Sequence, residues 1–135
     1  MNDFSQIPPV YAGIFTADKP PSLIGGQCTS CGAHHFPKPD ICPDCLSEVR
    51  GADFGQSATI YSVTTVRTRA PLGLPSPYSV ALVDLEDVPC RIFALMDPEQ
   101  AGSFSIGQRV SLHVAPIGVN NEQKACLRPY FSADK

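Results

Sequence analysis

Residues 28–45 read CTSCGAHHFPKPDICPDC and contain four of the six cysteines of this 135-residue chain. The cysteines form two C-x-x-C pairs, Cys28 with Cys31 and Cys42 with Cys45, and ten residues separate the pairs. Two residues between cysteines let both sulfur atoms of a tight turn point at one ion. Two such turns supply the four thiolates of a tetrahedral site. The stretch therefore predicts a metal-binding ribbon held by these four cysteines.

The identity of the metal stays open at this point, because four thiolates bind zinc or iron. A pair of redox dithiols is a third interpretation, although two C-x-x-C pairs this close together would be redundant. His34 and His35 offer imidazole ligands, but four cysteines already fill a tetrahedron, so we interpret both as polar ribbon residues. A catalytic zinc keeps one position open, which a four-cysteine site does not. We therefore predict a structural Zn²⁺ that folds a segment with no core of its own.

The residues that follow the two pairs differ. Gly32 follows the first pair and suits a turn with positive φ, where backbone N–H groups can bond to sulfur. Leu46 occupies the same place after the second pair, where the pattern favours a second glycine. We expect this departure to leave the metal site intact.

The charge balance and the distribution of apolar residues argue against several classes of protein. Ten Lys and Arg residues stand against thirteen Asp and Glu, for a formal net charge of −3, whereas nucleic-acid binders usually carry a basic excess. The first ten residues, MNDFSQIPPV, lack the basic and apolar regions of a secretory signal, and no apolar run is long enough to cross a membrane. We expect a cytoplasmic protein without nucleic-acid or membrane partners, in which cysteines stay reduced.

The residues after the ribbon alternate between apolar and polar types, as strands do. A short helix or turn is predicted at 98–107, and the domains are predicted as an arm at 1–25, a ribbon at 26–50 and a barrel at 55–135. The predicted strands span residues 57–69, 77–87, 89–97, 109–117 and 124–131. Five strands with this link predict a mainly β chain that ends in a five-stranded OB-fold barrel, with a five-stranded sandwich as the alternative.

Two apolar segments suggest contact surfaces. The arm is too apolar for a solvated tail, and the uncharged loop APLGLPSP at 70–77 joins the first two barrel strands. Each segment packs either on this protein or on a partner. The residues predicted for partner binding are Tyr11, Ile14, Phe15, Pro71, Leu72, Leu74 and Pro75.

The sequence contains few side chains that could act in catalysis. Cys90 and Cys126 lie at the start of a strand and inside one, where core packing is the usual role of a free cysteine. His113 lies within a predicted strand as well, which favours a structural role. The nucleophile-elbow, P-loop, dinucleotide and zinc-protease motifs are absent from the sequence. We predict no catalytic residues and no independent active site.

The order of these parts resembles a known family. The segments LIGGQCTSCGAHHFPKPDICPDC (23–45), ATIYSVTTVRT (58–68), PYSVALVDLED (77–87) and FSIGQRVSLHVAPI (104–117) carry the likeness. They resemble the rubredoxin-like zinc-ribbon/OB-fold proteins associated with acyl-CoA enzymes. The departure from the family pattern is Leu46, in place of a glycine after the second cysteine pair.

The resemblance implies an accessory subunit that docks on a thiolase or thiolase-like catalytic subunit and helps shape its CoA-thioester site. Partners in that family act on acetoacetyl-CoA, steroid side-chain CoA esters, phloroglucinol-type polyketides or 2-benzoylsuccinyl-CoA. Lys38, Arg67 and Arg69 are then candidates to bind CoA phosphates, with Arg91 and Arg128 also available, and each is otherwise a surface charge. Two rivals remain, a nucleic-acid-binding ribbon/OB module and a free-standing hydrolase or acyltransferase that uses Cys90 or Cys126.

Overall fold

A computed structural model describes residues 7–11, 13–16 and 21–133 of the chain. These residues form nine strands and one 3₁₀ turn, Pro98–Gln100, so the prediction of a mainly β chain is confirmed. The strands are β1 (Phe15–Thr16), β2 (Ser22–Cys28), β3 (His34–His35), β4 (Val49–Gly55), β5 (Ser57–Val66), β6 (Tyr78–Leu85), β7 (Arg91–Leu95), β8 (Arg109–Val119) and β9 (Ala125–Ala133). Within the described ranges, there is no helix that could span a membrane.

The ribbon is built on the antiparallel pair of β2 and β4. Their register places Cys28 opposite Val49 and Gly26 opposite Gly51, and β1 and β3 also pair with β2. Neither β2 nor β4 was predicted as a strand, because SLIGGQC and VRGADFG contain glycines and charges that are depleted in strands. The two strands lead into and out of the cysteine turns, so they fix the base of the ribbon.

The glycines of β2 let the two strands and their side chains approach closely. A Cβ atom built on Gly25 would overlap the ring of Phe54, and that ring is fully buried. A Cβ atom on Gly51, in the partner strand, would meet nothing within 4 Å. Gly25 is therefore required by packing, whereas Gly51 is not.

The second sheet is the predicted barrel. Its strands run in the order β7-β6-β5-β8-β9. The two edge strands meet through one parallel bridge between Met96 and Phe131, and the amide of Asp97 donates to the carbonyl of Phe131 at 2.8 Å. This order and this closure form the partly open Greek-key barrel of an OB-fold. The five-strand prediction is confirmed and the sandwich alternative is wrong.

The barrel strands differ from their predicted limits mainly at the ends. β5 stops at Val66 rather than at residue 69, because the exposed residues that follow belong to the loop before β6. β8 and β9 are longer than predicted and form a twisted hairpin whose register shifts between Pro116 and Val119. Asn120 closes this hairpin, because its side-chain oxygen accepts the amides of Glu122 and Lys124.

One hydrophobic core serves both sheets. Phe15, Leu23 and Phe54 from the first sheet pack in the same buried cluster as Ile60 and Phe131 from the barrel. A second, smaller cluster holds Cys28, Cys42 and Val49. The base of the ribbon is therefore part of the barrel's core, and the cysteine end is separate from it.

The arm packs on the chain itself. The amide of Val10 donates to the carbonyl of Leu127 at 2.8 Å, and the amide of Leu127 donates to the carbonyl of Pro8 at 2.7 Å. Further along, the carbonyl of Ile14 accepts the amide of Ile24 at 2.8 Å. The described part of the arm thus runs from β9 of the barrel to β2 of the ribbon.

Candidate metal centre and neighbouring surfaces

The four cysteines of the two turns lie together at the end of the ribbon. Their sulfur atoms all lie within 4.8 Å of one another. The Sγ atoms of Cys28 and Cys45 are 3.3 Å apart, and those of Cys31 and Cys42 are 3.8 Å apart. A tetrahedron with metal–sulfur bonds of about 2.3 Å has edges of about 3.8 Å. The four side chains are free thiols and therefore fit one tetrahedral metal ion.

The two cysteine turns have the same backbone geometry. The amide of Gly32 donates to the carbonyl of Cys28 at 3.2 Å, and the amide of Leu46 donates to the carbonyl of Cys42 at 2.8 Å. Both residues that follow the pairs have positive φ, 78° at Gly32 and 65° at Leu46. Leu46 thus adopts the conformation that the pattern reserves for glycine, and its side chain is 78% exposed.

Hydrogen bonds favour the thiolate form at two of the cysteines. The amides of Cys31 and Ser30 both lie 3.4 Å from the Cys28 sulfur and donate to it, which lowers the pKa of that thiol. The side chain and amide of Ser47, together with Cys28, lower the pKa of Cys45 to about 6. Because the thiolate is the form that binds metal, these donors favour metal binding at Cys28 and Cys45, whereas the neighbouring thiols of Cys28 and Cys45 raise the pKa of Cys31 to about 12.

The two histidines of the ribbon have different surroundings. The His34 ring packs edge-on against the Phe54 ring, with 5.7 Å between centroids. The Nε2 atom of His35 lies 3.5 Å from the Cys42 sulfur and 3.9 Å from a carboxylate oxygen of Asp44. His35 is therefore a hydrogen-bonding neighbour of the sulfur cluster, a role that the sequence interpretation missed. The strand register that places His35 opposite Gly26 of β2 reveals this role, and only the structure gives that register.

We expect Leu46→Gly to stabilise the chain by about 1 kcal/mol, because it removes the cost of a left-handed conformation from a residue with a Cβ atom. The matched variant Gly32→Ala should destabilise by about the same amount, since it places a Cβ atom on a residue with φ 78°. That Cβ atom would meet nothing within 4 Å, so backbone strain alone sets the loss. Thermal unfolding of both metal-loaded variants measures the difference. Equal signs for the two substitutions would contradict the matched geometry of the turns.

The residues predicted for partner binding are only partly exposed. Phe15 is buried in the core, Ile14 is half-buried against it, and Tyr11 is 61% exposed. In the loop, Pro71, Leu72 and Pro75 are exposed and Leu74 is half-buried. The carbonyl of Leu72 accepts the amide of Val119 at 2.7 Å, so the loop is attached to its own barrel. Exposed apolar side chains that the sequence interpretation missed are Ile41, Leu46, Phe93 and Ile106.

The candidate CoA-binding cations lie in different parts of the molecule. Lys38 belongs to the ribbon, where its side chain lies beside Gly26, and Arg67 and Arg69 are exposed after β5. Arg91 bonds Asp84 at 2.6 Å, and its guanidinium lies 3.4 Å from the centroid of the Tyr61 ring. The interpretation of Arg128 as a surface charge is wrong, because the β8–β9 hairpin buries it to 8% exposure.

The remaining thiols are buried or half-buried, and the strand histidine stacks on a neighbouring ring. Cys126 is fully buried, and burial raises the pKa of the half-buried Cys90. A raised pKa lowers the thiolate fraction at neutral pH and so counts against a nucleophile. The His113 ring stacks on Tyr130, with 5.7 Å between centroids. These placements agree with structural roles for all three side chains.

Two family models match consecutive parts of the chain. Residues 15–50 match the model described as ChsH2, rubredoxin-like zinc ribbon domain. Residues 52–115 match the model described as ChsH2, C-terminal OB-fold domain. The four clustered cysteines are therefore those of a zinc ribbon, and the five-stranded sheet is the OB-fold that follows it.

Curated relatives and a solved structure give further matches. A DUF35 domain-containing scaffold protein of Methanocaldococcus jannaschii is 34% identical over 70 residues, which cover 48% of each chain. A protein of the same description from Pyrococcus furiosus is 39% identical over 80 residues, which cover 57% of each chain. The matches thus span about half the length of these relatives. The structure described as Ltp2-ChsH2(DUF35) aldolase superposes with a TM-score of 0.63 at 22% identity, covering 83% of this chain and 84% of that one, which shows the shared fold.

Proposed function

Since the chain belongs to the ChsH2 family of rubredoxin-like zinc-ribbon and OB-fold proteins, we propose that it is a non-catalytic accessory subunit of a thiolase-like enzyme. The catalytic subunit would be a separate chain, and the two would form a hetero-oligomer in the cytoplasm. The observation that carries this proposal is the closed cluster of four cysteines joined to a barrel whose free thiols are buried or half-buried. Such an arrangement supplies a rigid scaffold rather than a reactive centre.

We propose Zn²⁺ as the metal, bound by Cys28, Cys31, Cys42 and Cys45. The ion would supply the folding free energy that the ribbon end lacks, because its own buried cluster contains only Cys28, Cys42 and Val49 among the described residues. Four thiolates leave no position for water or substrate, so the ion is structural in this proposal. A zinc-held ribbon keeps its exposed side chains in fixed positions, which lowers the entropic cost of binding a partner.

The partner surface is proposed at the apolar side chains that remain exposed. Tyr11, Leu72, Pro71 and Pro75 are the predicted contacts that reach solvent. Ile14, Phe15 and Leu74 would support them from beneath, because they are buried or half-buried within the chain. Ile41 and Leu46, 58% and 78% exposed, are further candidate contacts at the end of the ribbon. Exposed apolar side chains of this size are typical of the centres of protein interfaces.

We propose that the complex acts on a CoA thioester and makes or breaks a carbon–carbon bond. The proposed acyl groups are acetoacetyl, a steroid side chain or 2-benzoylsuccinyl. Lys38, Arg67 and Arg69 remain the proposed contacts for CoA phosphates, because all three are exposed. Arg91 is less suited to this role, since Asp84 and the Tyr61 ring already occupy its guanidinium. The same contact covers one face of the Tyr61 ring and so weakens the nucleic-acid alternative, in which bases stack on aromatic faces.

The test is affinity purification of the tagged chain from its native cells, followed by identification of bound proteins and assay of CoA-thioester cleavage. We expect a thiolase-like subunit to elute in a fixed ratio and its activity to depend on this chain. Tyr11→Asp and Leu72→Asp should weaken the complex at least tenfold, because a buried unpaired charge costs more than about 1.4 kcal/mol. Ile106→Asp, at a 70% exposed position outside the proposed surface, serves as the control.

Two results would contradict the proposal. One is a purified chain that elutes alone and leaves the activity of thiolase-like enzymes unchanged. The other is a salt-dependent shift of single-stranded RNA or DNA by the purified chain, which would favour the nucleic-acid module instead.

A further inference from the structure

A large apolar cavity lies where the arm, the ribbon and the barrel meet. Its volume is about 560 Å³. The arm contributes Val10 and Ile14, the ribbon contributes Leu23 and Phe36, and the barrel contributes Leu112 and Phe131 among others. Small-molecule sites commonly have volumes of roughly 300–1,000 Å³ and mostly apolar walls. The cavity therefore has the size and the lining of a site for a small organic ligand.

The cavity exists because the barrel is not fully closed. β7 pairs with β6 along its length, whereas its contact with β9 comes just past its end, where Met96 bridges Phe131 and the Asp97 amide donates to the Phe131 carbonyl. Phe93 and Leu95 of the β7 edge line the cavity, as do Pro129 and Phe131 of β9. The arm and the ribbon cover this seam from outside, so a ligand inside it would contact all three parts of the chain.

One wall of the cavity carries a buried positive charge. Arg128 lines it and is 8% exposed. Its guanidinium donates to the carbonyls of Ile117 at 3.4 Å and Val119 at 3.1 Å. Across residues 7–11, 13–16 and 21–133, no carboxylate forms an ion pair with it. Arginine is rarely buried without a counter-charge, because an uncompensated charge in an apolar region is costly.

Two amide side chains add to the polar part of the lining. Asn120 and Asn121, from the turn of the β8–β9 hairpin, also line the cavity. The other lining residues are apolar or aromatic, apart from the hydroxyls of Tyr11 and Tyr78. The cavity thus has a cationic, hydrogen-bonding region in an otherwise apolar wall, and this separation matches a ligand with one anionic group on an apolar body.

We propose that this cavity binds a small amphipathic carboxylate, with the carboxylate at Arg128 and the apolar body between the arm and the β7–β9 seam. The carboxylate would compensate the buried guanidinium, and the body would fill space that water occupies poorly. Tyr11, Ile14, Leu72 and Leu74 line the cavity and also belong to the proposed partner surface, so ligand binding is tested on the chain without its partner. The site is separate from the cysteine cluster, whose residues do not line the cavity.

Calorimetric titration of the zinc-loaded full chain with decanoate, 1-decanol and acetate tests the proposal. Decanoate should bind one per chain. The alcohol has the same body without the charge and should bind at least tenfold more weakly, because a hydrogen bond to a charged group is stronger than one between neutral groups. Acetate carries the charge without the body and should give no measurable heat. Equal binding of decanoate and 1-decanol, or no binding of decanoate, would overturn the proposal.

Two variants locate the site. Arg128→Gln should remove the preference for decanoate over 1-decanol. Arg91→Gln replaces an arginine outside the cavity and should leave that preference unchanged.

If Arg128→Gln does not fold, Val80→Phe places extra volume at the cavity wall and should abolish decanoate binding. Thr64→Phe adds the same aromatic group at an exposed position of β5 and is its control. An unchanged preference for decanoate in Arg128→Gln, or decanoate binding that survives Val80→Phe, would place the ligand elsewhere and refute the assignment. Partner binding and thioester cleavage are measured separately, so either proposal can fail alone.

Discussion

Replacing Cys42 with serine should abolish stoichiometric zinc binding and unfold the ribbon end of the chain. Cys42 is fully buried and lies between the Cys31 sulfur and His35 Nε2. A serine hydroxyl is a poor zinc ligand, and three remaining thiolates leave the ion open to water. Structural zinc contributes an apparent free energy of roughly 10–16 kcal/mol in zinc-finger peptides, far more than the small cluster around Val49 can supply. We expect this to be the largest single effect in the molecule.

The measurement combines metal analysis with amide spectra. The unsubstituted chain should contain one zinc per molecule, and Cys42→Ser should contain none and lose the dispersed resonances of residues 28–49. Cys90→Ser is the matched control, because it removes a cysteine that lies outside the cluster, and it should keep the metal. Retention of one zinc by Cys42→Ser would contradict the four-cysteine assignment, and iron in the unsubstituted chain would replace zinc in the proposal.

Replacing Gly25 with alanine should destabilise the chain by about 3 kcal/mol, the upper part of the usual range for overpacking a core. The added methyl group would overlap the Phe54 ring. That ring is fully buried and belongs to the core that the ribbon shares with the barrel, so it has little room to move. Both sheets should therefore lose stability together, and the variant should unfold in one cooperative transition at a lower denaturant concentration.

Gly51→Ala is the matched control for this prediction. Gly51 lies in β4, which pairs with the strand of Gly25, and a methyl group there meets nothing within 4 Å. Alanine should leave stability unchanged or raise it by about 0.5–1 kcal/mol, because it restricts the unfolded chain. Urea unfolding of the two zinc-loaded variants compares them directly. A loss of similar size at both positions would show that strand propensity, and not contact with Phe54, requires glycine here.

The sequence predicted the parts of the fold that depend on local patterns. Alternating apolar residues located all five barrel strands, and the C-x-x-C spacing located the cysteine cluster. Local patterns did not predict β2 and β4 as strands, because the glycines in both segments lower strand propensity. The glycines of β2 serve contacts with Phe54 and Val49, which lie far along the chain from them. Such contacts produce no periodic pattern in the sequence, because they depend on which strands become neighbours in the fold.

The sequence by itself determined which side chains would hold a metal, since two residues between thiols are enough to aim both at one ion. It also determined that Leu46 would stand where a glycine belongs. Tertiary structure alone decided which charges and apolar groups reach solvent. It buried Arg128, turned Phe15 into the core and left a seam between β7 and β9, because burial depends on how separate segments pack together. The sulfur cluster is a property of a short segment, whereas the cavity is a property of the assembled arm, ribbon and barrel.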